Sequence, residues 1–148
     1  MSATYFYDTE VEWSERRRGK LCSDGLPEVE IAAPPEFQGD EGTWTPEHLF
    51  VGSVNVCFMT TFLAIAELSK LNFSSFKSYA RGKLEKTEGQ GYRVTQVILR
   101  PALTIHDARD KERAARILEK AERNCLISNS IKSDVKLESE IHYHEKVT

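Results

Sequence analysis

Apolar residues alternate with polar ones near both ends of the chain and recur at helical spacing in two internal stretches. Residues 4–13 are rich in β-formers (Tyr5, Phe6, Tyr7, Val11, Trp13), residues 19–22 make a short strand, and residues 28–32 set Val29 and Ile31 between Glu28, Glu30 and Ala32. Ser23-Asp24-Gly25 marks a hairpin-type turn between the second and third of these. Pro34-Pro35 and the run from Gly39 to Gly42 mark a loop. Thr45-Pro46-Glu47 then supplies a Thr N-cap, Pro at the first helical position and an acid in the first turn. It predicts a helix that runs to about Lys70, where Leu71-Asn72 breaks the pattern.

Two long strands follow, at about 75–87 and 92–105, joined by Glu88-Gly89-Gln90-Gly91. Pro101 predicts a bulge or a sheet edge in the second. Asp110 is placed to cap a helix over 111–124, whose apolar stripe of Ala114, Ile117, Leu118 and Ala121 continues to Cys125. Residues 134–143 alternate Val135, Leu137, Ile141 and Tyr143 with polar side chains, as a half-buried strand does. No repeat or linker divides the chain, so the order of elements predicts a single α+β domain over 1–148. An antiparallel sheet would cover one side of the long helix. The other apolar face would need a partner, and a second copy of the chain is the simplest one.

The eighteen residues between His48 and Glu67 carry no charge, which reaches the lower limit for a membrane span. Their polar content (Ser53, Asn55, Thr60, Thr61) and acidic flanks favour a helix buried in a soluble core. The chain has 148 residues, 40% hydrophobic and 29% charged, with a net charge of −3. That balance excludes a disordered chain and lacks the basic footprint of a nucleic-acid binder. The N-terminal MSATYFYDTEVEW has neither the basic start nor the apolar core of a signal peptide, so a reducing cytoplasm is expected.

Three cysteines, Cys22, Cys57 and Cys125, are too few and too odd for a disulfide framework, and none sits in a CxxC or CxxH pair. The four histidines form no metal pattern, and no GxGxxG or GxxxxGK[ST] loop occurs. Cys57, mid-helix among Val54, Val56, Phe58 and Met59, reads either as an inert core thiol or as a reactive one that needs a nearby cation. Arg16-Arg17-Arg18, between the first two strands, is either a solvated turn or that cation. Glu47 serves the helix dipole and could also hold a guanidinium in bidentate geometry. Cys125 is either core packing or a resolving thiol.

Thr45-Pro46-Glu47-His48-Leu49-Phe50 followed by Cys57-Phe58 resembles the Pro-Glu, Leu-Phe and Cys-Phe signature of the OsmC/Ohr superfamily, the osmotically inducible and organic hydroperoxide resistance proteins. Ala121 through Ser128 resembles its second-cysteine motif, and Arg17-Arg18-Gly19, Ser23-Asp24-Gly25 and Pro35-Glu36 resemble its arginine hairpin and Pro-Glu loop. Cys125-Leu126-Ile127-Ser128 stands where the Ohr branch has Cys-Pro-Tyr-Ser, so the likeness is to an OsmC-like member outside that branch. The resemblance implies an intertwined α+β homodimer, its antiparallel sheet wrapped around a long buried helix. It also implies a cysteine-based peroxidase for organic hydroperoxides, without metal or other cofactor. The site it implies has Cys57 as the peroxidatic thiol, Cys125 as the resolving thiol, Arg17 (with Arg16 and Arg18 as neighbours in register) and Glu47. An external dithiol would be the reductant. Phe50, Phe58 and Met59 would wall an apolar substrate pocket. The alternative is an OsmC-like ligand-binding or stress protein with little turnover.

Overall fold

The computed structural model describes residues 2–144, which group into two compact units that divide between Leu49 and Phe50. Their boundary falls inside a continuous helix, so no linker composition announces it.

The first unit holds a three-stranded antiparallel sheet in the order β1 (Glu10–Glu15), β2 (Arg18–Cys22), β3 (Val29–Ala32). The β1–β2 turn places Arg16 at φ 47°, and the β2–β3 turn places Gly25 at φ 77° with Leu26 N donating to Ser23 O at 3.1 Å. The strand expected at 4–13 starts only at Glu10. Its partner β2 ends at Cys22, opposite Glu10, so the residues before it have no ladder to join. Tyr5, Phe6 and Tyr7 are consequently 76%, 83% and 91% exposed. A 3-10 turn, Pro35–Phe37, leads through Gln38 at φ 68° to Gly39, where a Cβ would collide with the Ala33 carbonyl. Buried Thr45 then caps α1 (Pro46–Leu68): its Oγ1 accepts from His48 N at 3.0 Å, and its carbonyl takes the first helical bond from Leu49 N at 2.9 Å.

In the second unit, β4 (Phe73–Thr87) and β5 (Gly91–Ile105) form one long antiparallel hairpin. Strands β6 (Asp134–Leu137) and β7 (Glu140–Tyr143) then lie end to end, both parallel to β5. The expected all-antiparallel sheet is thus mixed. The single strand expected at 134–143 is two, because β5 passes both of them and they are separated at 138–139. That break also explains Pro101. It is neither at an edge nor at a bulge; it sits beside the gap, since β6 pairs with Gln96–Leu99 and β7 with Ala102–Ile105. A residue without an N–H is tolerated where no partner strand asks for one.

Alternate residues of β5, from Val97 through Leu99, Pro101, Leu103 and Ile105, are fully buried. Against them pack Val54, Phe58, Phe62 and Ala66 of α1 and Ala114, Ile117, Leu118 and Ala121 of α2 (Lys111–Arg123), each set at helical spacing. Asp110 makes no capping bond. Asp107 caps instead, accepting from Arg109 N at 3.0 Å at the head of a 3-10 turn, Ala108–Asp110, that feeds α2. Helix α1 is buried along one stripe rather than all round: Val56 is 58% and Leu63 40% exposed. By length and composition alone it is also apolar enough to cross a membrane.

Phe62 anchors this core, stacking on Phe76 at 4.8 Å and tilted against Phe73 at 5.4 Å. Phe62→Ala is expected to lower unfolding stability by about 3–5 kcal/mol, read from the urea midpoint at unchanged slope.

Candidate functional site

Two thiols from distant parts of the sequence meet in the second unit. Cys57 is on α1 and half-buried; Cys125 ends the apolar stripe of α2 and is fully buried. The Cys125 sulfur approaches Val54 O at 4.0 Å, one helical turn before Cys57, and its nearness helps lower the Cys57 pKa. Both cysteines are free thiols.

Their acidities are pushed apart. Desolvation alone would raise the Cys57 pKa. Hydrogen bonds from the Ile127 amide, the Cys125 thiol, the Thr61 hydroxyl and the Leu126 amide outweigh it, so Cys57 lies below the ordinary thiol value. Thr61 Oγ1 is 4.0 Å from the sulfur and also donates to Cys57 O at 2.7 Å. Desolvation raises Cys125; the Ser128 hydroxyl and amide lower it in part, and the Cys57 charge adds to the rise. Cys57 is therefore the more acidic of the two thiols and Cys125 the less acidic. Where the sequence calls for a cation beside Cys57, main-chain amides of the 126–127 turn lower its pKa within this unit.

The first unit carries the charged candidates. Arg16 bonds Asp40 at 2.9 Å, which holds that carboxyl below its usual range, and Arg18 reaches Asp40 at 3.6 Å and Glu30 at 3.7 Å. Arg17 differs: its guanidinium donates to the Phe37 carbonyl at 3.1 Å and to Gln38 Oε1 at 3.3 Å, both neutral acceptors. Of the three arginines it is the one that makes no ion pair with a carboxylate among the described residues. Glu47, in the first turn of α1, has Oε2 buried without a hydrogen-bond partner. Cys22 lies beside Glu28 at 3.4 Å; burial, then that contact, pushes its pKa up.

The expected substrate walls are distributed otherwise. Phe58 is fully buried and tilted against Phe76 at 6.0 Å, so it belongs to the core and presents no open wall. Phe50 is half-buried and packs on that core. Met59, two residues past Cys57 and so on the other side of the helix, lines a hollow with Asn55, Val56, Phe76 and Ser78. Among the described residues no cluster of three or more His, Cys, Asp or Glu could hold a metal. Sequence reasoning missed Thr61, the 126–127 amides and Ser128. The i,i+4 spacing of Cys57 and Thr61 was a usable signal; main-chain donors leave none.

In a denaturant-free alkylation at pH 7, Cys57 should react before Cys22 and Cys125, because it alone of the three has a lowered pKa. Cys125→Ala removes one donor and should move the Cys57 reactivity profile to higher pH. Mass spectrometry of the labelled peptides checks both outcomes.

The model of the OsmC-like protein family matches residues 39–140. The chain is 32% identical over 146 residues to the uncharacterized protein YmaD of Bacillus subtilis (strain 168), covering 95% of each. Its fold is similar to that of an OsmC-like protein of unknown function, VCA0330, from Vibrio cholerae (TM-score 0.84, 24% identity, 92% of this chain and 99% of that one). It is similar also to an organic hydroperoxide resistance protein OsmC from Legionella pneumophila (TM-score 0.73, 24% identity, 94% and 99%). With a family model over more than half its length and a relative above 30% identity along nearly all of it, the chain belongs to the OsmC-like family.

Proposed function

We propose that the protein is a thiol-dependent peroxidase that reduces organic hydroperoxides to alcohols in the cytoplasm. The observation that carries this reading is a half-buried Cys57 with its pKa lowered beside a buried Cys125 with its pKa raised, whose sulfur lies 4.0 Å from Val54 O, one helical turn before Cys57. The thiolate of Cys57 attacks the terminal peroxide oxygen, the O–O bond breaks, and the alcohol leaves with a proton, so that Cys57 becomes a sulfenic acid. The Cys125 thiol then displaces the sulfenic hydroxyl as water and forms the Cys57–Cys125 disulfide. An external dithiol supplies two electrons and two protons to reopen it.

Arg17 and Glu47 complete the reading. A guanidinium bonded, among the described residues, to neutral acceptors keeps its charge for a developing alkoxide, and a buried carboxylate oxygen with no partner among those residues suits the task of holding that guanidinium. A homodimer is part of the proposal. The exposed Tyr5, Phe6, Tyr7, Val11 and Trp13 around a thin three-stranded sheet, and the bare Val56 and Leu63 face of α1, need apolar cover that a second copy supplies.

Cys57→Ser should abolish dithiol-dependent consumption of cumene hydroperoxide, while Cys125→Ser should permit one stoichiometric oxidation at Cys57 and no cycling. Arg17→Ala should slow the peroxide step by roughly 30- to 1000-fold, with a smaller loss for Glu47→Ala. A wild-type chain that binds the hydroperoxide without consuming it would overturn the enzymatic reading. Light scattering at micromolar concentration should give twice the chain mass; a folded monomer there would remove the dimer.

A further inference from the structure

On the side of α1 away from Cys57, a hollow of about 110 Å³ lies between the helix and edge strand β4. Helical spacing puts Asn55 and Met59 on one face of α1, and strand spacing puts Phe76 and Ser78 on one face of β4. These residues line the hollow together with Val56, which is 58% exposed and so connects it to the surface. Asn55 Nδ2 donates to Ser78 O at 2.9 Å, which ties helix to strand and fixes the way the amide faces. The other end of that amide, Oδ1, is buried and has no hydrogen-bond partner among the described residues. The Ser78 hydroxyl is buried and unpartnered in the same way. An orphaned buried polar atom is costly to a fold, and two of them on bonded residues that share a hollow call for one explanation.

The lining defines what would satisfy both. Asn55 Oδ1 can only accept, so a ligand must donate a proton to it; the Ser78 hydroxyl can donate, so the ligand must also offer a lone pair. No charged side chain lines the hollow, and an ion would lose its water there without compensation. The remaining walls, Val56, Met59 and Phe76, are apolar, and the volume is below the roughly 150 Å³ that admits a benzene ring. Phe76 is held by its stacking on Phe62 at 4.8 Å, whereas Met59, an unbranched thioether, can give way. We propose that this hollow binds a short-chain aliphatic alcohol, whose hydroxyl donates to Asn55 Oδ1 and accepts from Ser78 Oγ while its alkyl part packs on Val56, Met59 and Phe76. A hydroxyl is the smallest neutral group that performs both tasks with one atom. The site does not rest on the redox reading, because no cysteine lines it.

Met59 and the N-terminal Met1 are the two methionines of the chain, so carbon-13 labelling of methionine methyls places one reporter in the hollow. Titration of the wild-type chain with propan-2-ol should move the Met59 methyl resonance saturably. Acetone has the same carbon skeleton and no proton to donate, and should bind roughly tenfold more weakly, the weight of one unmade hydrogen bond. Ser78→Ala should weaken propan-2-ol by a similar factor. The alcohol–ketone comparison needs no variant, so it decides the matter even where Ser78→Ala does not fold. Equal affinity for acetone and propan-2-ol overturns the proposal, as does a folded Ser78→Ala chain that binds propan-2-ol as the wild type does. An unmoved or linearly drifting Met59 resonance leaves water as the occupant and overturns it too. A contact between the Met59 methyl and a second copy, seen in a mixed-label sample, overturns it in favour of a partner side chain. A chain that consumes no hydroperoxide yet binds propan-2-ol here overturns the peroxidase reading alone.

Discussion

The end of α2 packs against the middle of α1, and that contact sets the distance between two thiols 68 positions apart in sequence. It is made by apolar burial, not by any attraction between cysteines. Ala114, Ile117, Leu118 and Ala121 leave no water on their face of α2, and Cys125 is the next side chain in that stripe. Val54 and Phe58 do the same on α1, with Cys57 between them at the border of the core. The chemistry inherits its geometry from the same free energy that folds the unit.

Burial by itself would make both thiols inert, because removing water disfavours the thiolate. What separates them is a turn. Once α2 stops at Arg123, the chain turns again through Ser128–Ser130. The Ile127 and Leu126 amides help lower Cys57, while burial and the Cys57 charge raise Cys125. Cys57 is thus lowered by neutral donors rather than by a charged side chain, so an amide-bearing turn can do at a cysteine what an arginine does.

The first unit is organised around charge rather than burial. Asp40 gathers Arg16 and Arg18, whereas Arg17 is carried by the Phe37 carbonyl and by Gln38, whose left-handed backbone brings its side chain to the guanidinium. Gly39 is fixed by the same loop, since any side chain there would meet Ala33 O. The three adjacent arginines are equivalent in sequence; their different partners make them different reagents.

Local physics settled much of this protein in advance. The Thr45-Pro46 helix start, the stripe from Ala114 to Cys125, the β4–β5 hairpin and the Ser23–Gly25 turn each follow from one short stretch of residues, and each forms as written. The OsmC-like signature likewise lies in contiguous motifs. What the chain could not announce depends on partners far along it. Strand β1 is short because β2 ends, residues 134–143 form two strands because β5 runs past both, and Phe58 is core because Phe76 arrives beside it. The unequal acidity of Cys57 and Cys125 belongs to this second class. It is decided by how deeply each sulfur is buried and by the main-chain amides of a distant turn, and a main-chain amide carries no letter in the sequence.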